Sequence, residues 1–496
     1  MTLSVTNTLT GEREEFEAGA ASEGDEVLLY VCGLTVSDDP HLGHARLWFH
    51  ADVVHRWLDH LGYDVRHVEN VTDVNEKIAA RVGERDGWES EADVARHFTR
   101  EVIENMRGLN LKRAEVYPRV SEHVPEIVDL VERLVDAGFA YESNGSVYFD
   151  VTRFDDYGEL SNQRLDELEA RGDVDERSEK RHPSDFALWK AGGVDESAVR
   201  EHRKHDHDGS LPTGETWESP WGEGRPGWHI ECSAMSMTHL GDTLDIHMGG
   251  RDLVFPHHEN EIAQSEAATG ERFARYWLHN GLLRTEADKM SSSLGNFFTV
   301  ADALDEFGVN VLRTFYLGAQ YRGDQTFSDG AVAEAEERWE RLERGYEAAV
   351  DACDSVDART KAVDDALRGA VDDARDDFAA AMNDDLDVRT AFNALLDLAN
   401  AVNRHVDDAD RYDYRGLRRA VETFEELGGD VFGLELGREA GGDVELAREL
   451  ADLVLDVREE ERHAGNYERA DRLRDDLEAI GVTVEDSDDG PVARFD

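Results

Sequence analysis

Four metal-competent side chains lie far apart in this chain: Cys32, then Cys232 in Gly227-Trp228-His229-Ile230-Glu231-Cys232, then His257 and Glu261 in Pro256-His257-His258-Glu259-Asn260-Glu261. Two thiolates, an imidazole and a carboxylate suffice for a four-coordinate zinc shell, so a fold that uses them must join distant segments at one point. Isolated cysteines and histidines are more often core or surface filler. Context reverses that here. Cys32 ends a strand-like run, where open α/β sheets place their ligands, and His257 and Glu261 keep the i, i+4 spacing that puts both on one helical face. His258 falls off that face, and the spacing excludes the metalloprotease pattern of two histidines flanking a glutamate.

The strand-like run is Val27 to Val31, and Leu47, Ala51, Val54, Leu58 and Leu61 follow it at helical spacing until Gly62. A second β-like run, Tyr63 to Val68, completes a strand–helix–strand unit, the building block of a doubly wound, Rossmann-like domain. From about Glu115 the texture changes to a helix through Glu126 to Ala137, a hairpin over Tyr141 to Val151 and polar stretches, closing on the Pro- and Gly-rich segment 219–227. The expected organisation is a Rossmann-like α/β catalytic domain whose halves, 1–114 and 226–310, are split by a connective insertion, 115–225. A helical bundle, 311–435, and a small C-terminal module, 436–496, complete it. Pro256 and Gly270 predict the limits of the helix that carries His257 and Glu261. Amphipathic stretches near 331–350, 362–382, 388–404 and 413–427 make up the bundle. In the last module, helices are expected over Ala447 to His463 and Tyr467 to Ile480, with a strand at Gly481 to Val484.

Charge bounds the setting. With 53 Lys and Arg against 111 Asp and Glu, the formal charge is −58. In dilute salt such a chain repels itself; at about 1 M salt the Debye length falls to about 3 Å, so a halophilic source is expected. The same screening removes the usual objection to an acidic RNA binder, because counterion release counts for little in brine. Three cysteines, 32, 232 and 353, suggest no disulfide scaffold, and no signal core or long apolar run appears. A cytoplasmic enzyme with no membrane contact is the expectation, with its oligomeric state open. Cys353 reads as structural, and the His-rich tract 201–208 as a solvated loop.

Two further stretches suit a nucleotide. His41-Leu42-Gly43-His44 begins a helix after the first strand, where imidazoles and backbone N–H groups can converge on phosphate. Lys289-Met290-Ser291-Ser292-Ser293 offers a cation and hydroxyls to a triphosphate, and lysine is rare in this chain.

Taken together, these residues resemble the cysteinyl-tRNA synthetases, a family of class I aminoacyl-tRNA synthetases. The most specific marks are Pro226 to Met235 and Phe255 to Glu261, and the likeness runs from Tyr30 to Asp475. The resemblance implies that Cys32, Cys232, His257 and Glu261 hold one zinc ion that binds the substrate thiolate, and that Gly33, Thr72, Trp228 and His247 line the amino-acid pocket. It implies that His41 and His44 form the HIGH motif, and that Lys289, Ser291 and Ser292 belong to a KMSKS-like loop, both binding ATP with Mg2+. The implied partners are ATP, L-cysteine and tRNA(Cys), and the implied reaction is ATP-dependent charging of that tRNA through cysteinyl-adenylate. Three departures stand out: Ser292 replaces the second lysine of KMSKS, Leu34 replaces a usual proline, and the terminal module lacks tryptophan, leaving Tyr467 to stack on an anticodon base. Two rivals are a cysteine ligase of mycothiol biosynthesis, which resembles only the catalytic half, and a non-catalytic zinc-containing RNA-binding paralogue.

Overall fold

The computed structural model describes residues 2–19, 26–165, 178–205, 211–285 and 298–437, together with 454, 455, 457, 458, 462, 467–479, 482–487 and 490–495. The chain divides into two units, Met1–Leu436 and Gly437–Asp496.

At the centre of the first unit lies a four-stranded, all-parallel sheet in the order Ala274–Asn280, Leu244–Gly250, Glu26–Val31, Asp64–Glu69. Such a sheet is covered on both faces, and strands Ala274–Asn280, Leu244–Gly250 and Glu26–Val31 are accordingly buried at all but one position each. Along the first strand, Val27, Leu29 and Val31 enter one core while Leu28, Tyr30 and Cys32 enter another, the period-two alternation of an extended chain. The sheet order reverses beside Glu26–Val31, since the chain first adds Asp64–Glu69 on one side and later Leu244–Gly250 on the other. That switch point, at the carboxyl ends of the strands, is where open α/β sheets bind ligands.

The first helix, Leu42–His60, buries Leu47, Ala51, Val54 and Leu58. Leu61, expected on the same stripe, is its C-cap and is 37% exposed, because Gly62 at φ 93 has already turned the chain away.

The segment between the halves of this sheet builds an antiparallel sheet of its own, ordered Ala140–Ser143, Ser146–Phe149, Phe186–Ala191, Gly224–Pro226. Asn144 and Gly145, both at positive φ, make the tight turn of its hairpin. Helix Val124–Asp136 lays Ile127, Leu130, Val131 and Leu134 on this sheet, and Ile230, Ala234 and Met235 of helix Trp228–Leu240 join the same core. The last strand therefore feeds straight into the helix that carries Cys232.

Helices Val300–Leu317, Asp329–Asp354, Asp365–Met382, Val388–Asp408 and Tyr414–Thr423 follow, the last continuing as a wider turn over Phe424–Val431. They share one apolar core with the central sheet, through residues such as Phe378, Phe392, Leu395 and Phe432. Helices Asp329–Asp354 and Val388–Asp408 approach so closely that a Cβ on Gly345 would stand 2.4 Å from the Cβ of Ala399.

The described part of the second unit contains helix Tyr467–Ala479 and an antiparallel pair, Val482–Ser487 with Gly490–Phe495. The second strand of that pair was not anticipated. Most of the helix expected over 447–463 lies outside the described residues. No helix among the described residues is long and apolar enough to cross a membrane.

Candidate metal centre and nucleotide site

Cys32 is held at the end of its strand by a hydrogen bond from its own N–H to Met248 O at 2.9 Å. The next residue must be glycine: a Cβ on Gly33 would lie 1.7 Å from Asn70 O. Asn70 Oδ1 accepts from Gly33 N at 2.8 Å and from Tyr30 OH at 3.0 Å, while its amide donates to Thr72 Oγ1 at 3.2 Å. One buried amide thus fixes Gly33 and Thr72 together at the strand ends.

Cys232 comes from the start of helix Trp228–Leu240, and Glu261 from the first turn of helix Glu259–Thr269. The regular helix starts three residues later than Pro256 predicts, because Phe255 is extended and residues Val254–His258 form a wide turn; Gly270, left-handed at φ 76, ends it as expected. His257 and Glu261 nevertheless meet, Nε2 to Oε1, at 3.0 Å.

The four donors lie within 4.8 Å of one another and are all buried. Sγ of Cys32 is 3.8 Å from Sγ of Cys232, and each sulfur is 3.5 Å from His257 Nε2. A tetrahedral ion with metal–sulfur bonds of about 2.3 Å and metal–nitrogen bonds of about 2.0 Å requires sulfur–sulfur and sulfur–nitrogen separations of about 3.8 and 3.5 Å. The set fits such an ion. Glu261 Oε1 is also buried without a hydrogen-bond donor aimed at it, as a ligand atom should be.

Charge within the cluster is arranged as strongly coupled pairs. Burial would raise the Glu261 carboxyl, but His247 and His257 hold it down to about 2. Burial would lower His257, yet Glu261 and Cys232 raise it to about 10. The contact with Cys32, then burial, pushes the Cys232 thiol well up, a direction that a bound divalent cation would reverse.

Around the donors stands a shell of histidines. His247, wholly buried and stacked on Trp277 at 4.3 Å, meets the second oxygen of Glu261 at 2.8 Å, so it faces that carboxylate. A second possible ligand group, His247, His258 and Glu261, shares the same glutamate. His258 is fully buried and reaches His279 at 2.8 Å, which in turn reaches Thr8 Oγ1 at 2.8 Å. His257 Nδ1 lies 2.8 Å from Nδ1 of His229. Trp228, 41% exposed, lies over His257 with ring centroids 4.4 Å apart, at the mouth of the cluster. Asn70, His229 and His279 were missed by sequence reasoning; only His229, inside the quoted motif, carried a signal.

His41 caps helix Leu42–His60: its Nδ1 accepts from Gly43 N at 3.0 Å, and its own N–H donates to His44 Nδ1 at 3.3 Å. With both Nδ1 atoms accepting, each neutral ring carries its proton on Nε2 and presents a donor there. Thr299 forms a bridge with His41, and Val300 N donates to Pro40 O at 2.9 Å, so the chain leaving residue 298 returns onto this cap. Lys289, Ser291 and Ser292 lie outside the described residues. Cys353 is half-buried against the helical core, and the tract 201–208 is described only to 205.

The family pattern for the class I (C) tRNA synthetase catalytic domain matches residues 19–337, and the DALR domain matches 377–437. Among solved structures, Mycobacterium tuberculosis methionyl-tRNA synthetase with methionyl-adenylate superposes with TM-score 0.59 at 16% identity, covering 84% of this chain and 92% of that one. A putative arginyl-tRNA synthetase from Campylobacter jejuni gives 0.54 at 13%, covering 84% and 94%. At such identities the likeness speaks for the fold alone, and that fold is the class I aminoacyl-tRNA synthetase fold. Curated relatives narrow it: cysteine–tRNA ligases from Haloarcula marismortui and Halobacterium salinarum are 66% and 63% identical over 100% of both chains, and one from Thermococcus onnurineus is 42% identical over 99% of each. The chain belongs to the cysteine–tRNA ligase family.

Proposed function

We propose that this chain activates L-cysteine with ATP and charges tRNA(Cys), selecting its substrate through the thiol. The carboxylate of cysteine attacks the α-phosphorus of ATP and pyrophosphate leaves. A ribose hydroxyl at the 3′ end of the tRNA then attacks the acyl carbon of cysteinyl-adenylate and releases AMP. Neither step needs a protein nucleophile; positioning and charge stabilisation carry both.

Zinc is the metal that best suits two thiolates, an imidazole and a carboxylate, and when bound it supplies a redox-inert Lewis acid that prefers a substrate thiolate to a hydroxyl. Cys32, Cys232, His257 and Glu261 would hold it. His247 orients Glu261 through its second oxygen, and Asn70 keeps Gly33 and Thr72 at the pocket wall. Nε2 donors on His41 and His44 face developing negative charge on the phosphates of Mg2+-bound ATP, with Lys289 assigned the same task. The reduced thiols support a cytoplasmic setting, and the charge of −58 supports work in molar salt.

The observation that carries this reading is the spacing of the two sulfurs and one imidazole nitrogen, 3.8 and 3.5 Å, in a chain of this family. Its test is pyrophosphate exchange into ATP in molar salt, with metal content measured on the same sample. Cysteine-dependent exchange, one zinc per chain and no exchange with serine are expected. Equal exchange with serine would contradict selection by the thiol.

A further inference from the structure

Arg46 lies in the second turn of helix Leu42–His60, just past His44, and is 1% exposed. The hydrogen bonds of its guanidinium go to backbone carbonyls: Nη1 donates to Gly281 O, and Nη2 to Gly323 O at 2.6 Å, Gln320 O at 3.2 Å and Tyr321 O at 3.5 Å. In return, Arg46 O accepts from Asn280 Nδ2 at 3.1 Å. A buried guanidinium is costly to desolvate unless its donors are matched. Here they are matched to four peptide oxygens from two loops, so the side chain fixes where those loops cross.

The crossing is tight. A Cβ on Gly281 would stand 2.1 Å from Gly323 O, and Gly281 N donates to Tyr321 O at 2.8 Å. From the exposed side Asp324 accepts from Leu282 N at 3.0 Å and Arg284 Nε at 2.9 Å, and it pairs with Arg251. Two parallel strands leave this point, Leu283–Thr285 and Gln325–Phe327. The first leads into the segment that contains Lys289, and the description resumes at residue 298. There Leu42 N donates to Phe298 O at 3.2 Å, beside the bridge between His41 and Thr299. One helix start therefore holds the chain on both sides of that segment, through Arg46 before it and through its own cap after it.

We propose that Arg46 is a positioning residue for the adenylation step: it sets strand Leu283–Thr285 against the helix start that carries His41 and His44, so that both sides address the same phosphates. The proposal rests on the ligase reading above. Being buried, Arg46 acts through the strand and not by touching substrate. The role needs a planar fork. A lysine keeps the charge but, as a single point donor, cannot span carbonyls from two loops.

The test uses the full-length, zinc-loaded protein with Arg46→Lys and, on the exposed side of the crossing, Asp324→Ala. Melting temperature and zinc content are measured on each, then two rates. One is cysteine-dependent pyrophosphate exchange, with kcat and KM for cysteine. The other is single-turnover transfer to tRNA from chemically synthesised cysteinyl-adenylate, which needs no ATP. In Arg46→Lys the exchange kcat is expected to fall about 10- to 100-fold, the cost of an ångström-scale misplacement. Its KM for cysteine, zinc content and transfer rate stay at the parent's level. Asp324→Ala shows the same split at about threefold, as befits an exposed contact. Unchanged exchange in folded Arg46→Lys overturns the proposal. So does a parallel fall of exchange and transfer, the mark of a structural role alone, and so does a raised KM for cysteine with loss of zinc. Should Arg46→Lys not fold, Asp324→Ala decides: the split supports the proposal and its absence overturns it. Absence of exchange in the unsubstituted protein would instead overturn the ligase reading, and this proposal with it.

Discussion

His41 and His44 stack with ring centroids 3.7 Å apart, and each uses its Nδ1 to accept a backbone N–H at the start of helix Leu42–His60. The Nδ1 atoms of the motif satisfy backbone donors at the start of the helix that would otherwise lack partners, and the phosphate role proposed above belongs to the other nitrogen of each ring, Nε2.

This division makes the two roles separable. His41→Asn keeps a good capping side chain and removes the ring donor, whereas His41→Ala removes both. The asparagine variant is expected to melt near the parent temperature but to lose about 100- to 1,000-fold in exchange kcat, the usual loss for one donor at developing charge. The alanine variant loses that rate and about 1 kcal/mol of stability besides. Full exchange activity in His41→Asn would show that the ring does no more than cap.

Removing one sulfur tests the metal centre. Cys232→Ser keeps the volume and substitutes a much poorer ligand, so zinc content should fall well below one per chain and exchange with cysteine should collapse. Asp at position 261 tests reach: Glu261→Asp shortens the arm that meets both His257 and His247, and a tenfold to 100-fold loss of zinc affinity is expected. Retained stoichiometric zinc in Cys232→Ser would place the ion elsewhere.

Parts of this site were legible because their chemistry is rare in the sequence. Cysteine occurs three times in the chain, and His257 with Glu261 carries a spacing that only a helix turns into adjacency. Asn70 and His279 were illegible for the opposite reason: each acts through contacts with residues remote in sequence, such as Gly33 or Thr8, and has no local pattern. The strand Glu26–Val31 announced itself as an apolar run because both its faces are covered, whereas Ala274–Asn280, with Arg275, His279 and Asn280 among its residues, was not anticipated. The strand Gly490–Phe495 did not, since it begins Gly-Pro and depends on pairing with Val482–Ser487 rather than on its own composition.

Glu69 gives a pH dependence with a definite sign. Burial raises its carboxyl to about 8, against the hydrogen bond it accepts from Trp48 Nε1 at 2.9 Å, so the folded chain binds the proton more tightly than the unfolded one. The contribution is fully present below the unfolded value near 4.5 and is lost as pH rises through about 8. Glu69→Gln, which can still accept from Trp48, is expected to flatten denaturant-measured stability between those limits and to be the more stable protein at pH 9. A parent curve that rises across that window relative to the variant would refute the assignment.

Arg313 is the last test, because it locks four parts of the first unit together. Its guanidinium pairs with Asp52 at 2.5 Å, with both side chains at most 1% exposed, and donates to Leu109 O and Phe432 O at 2.7 Å. Asp52 in turn accepts from Arg56 at 2.8 Å and from Lys112 N at 2.7 Å, and its carboxyl stays below the usual range because Arg313 and Arg56 outweigh burial. Arg313→Met leaves a buried carboxylate short of its main partner and is expected to cost about 3 to 5 kcal/mol in chemical denaturation. Adding Asp52→Asn should recover part of that loss, a coupling of about 0.5 to 3 kcal/mol. Since the pair lies out of reach of solvent ions, the cost should be the same in 1 M and 3 M salt, where a surface pair would fade. A loss below about 1 kcal/mol, or one that shrinks as salt rises, would mean that water reaches this pair.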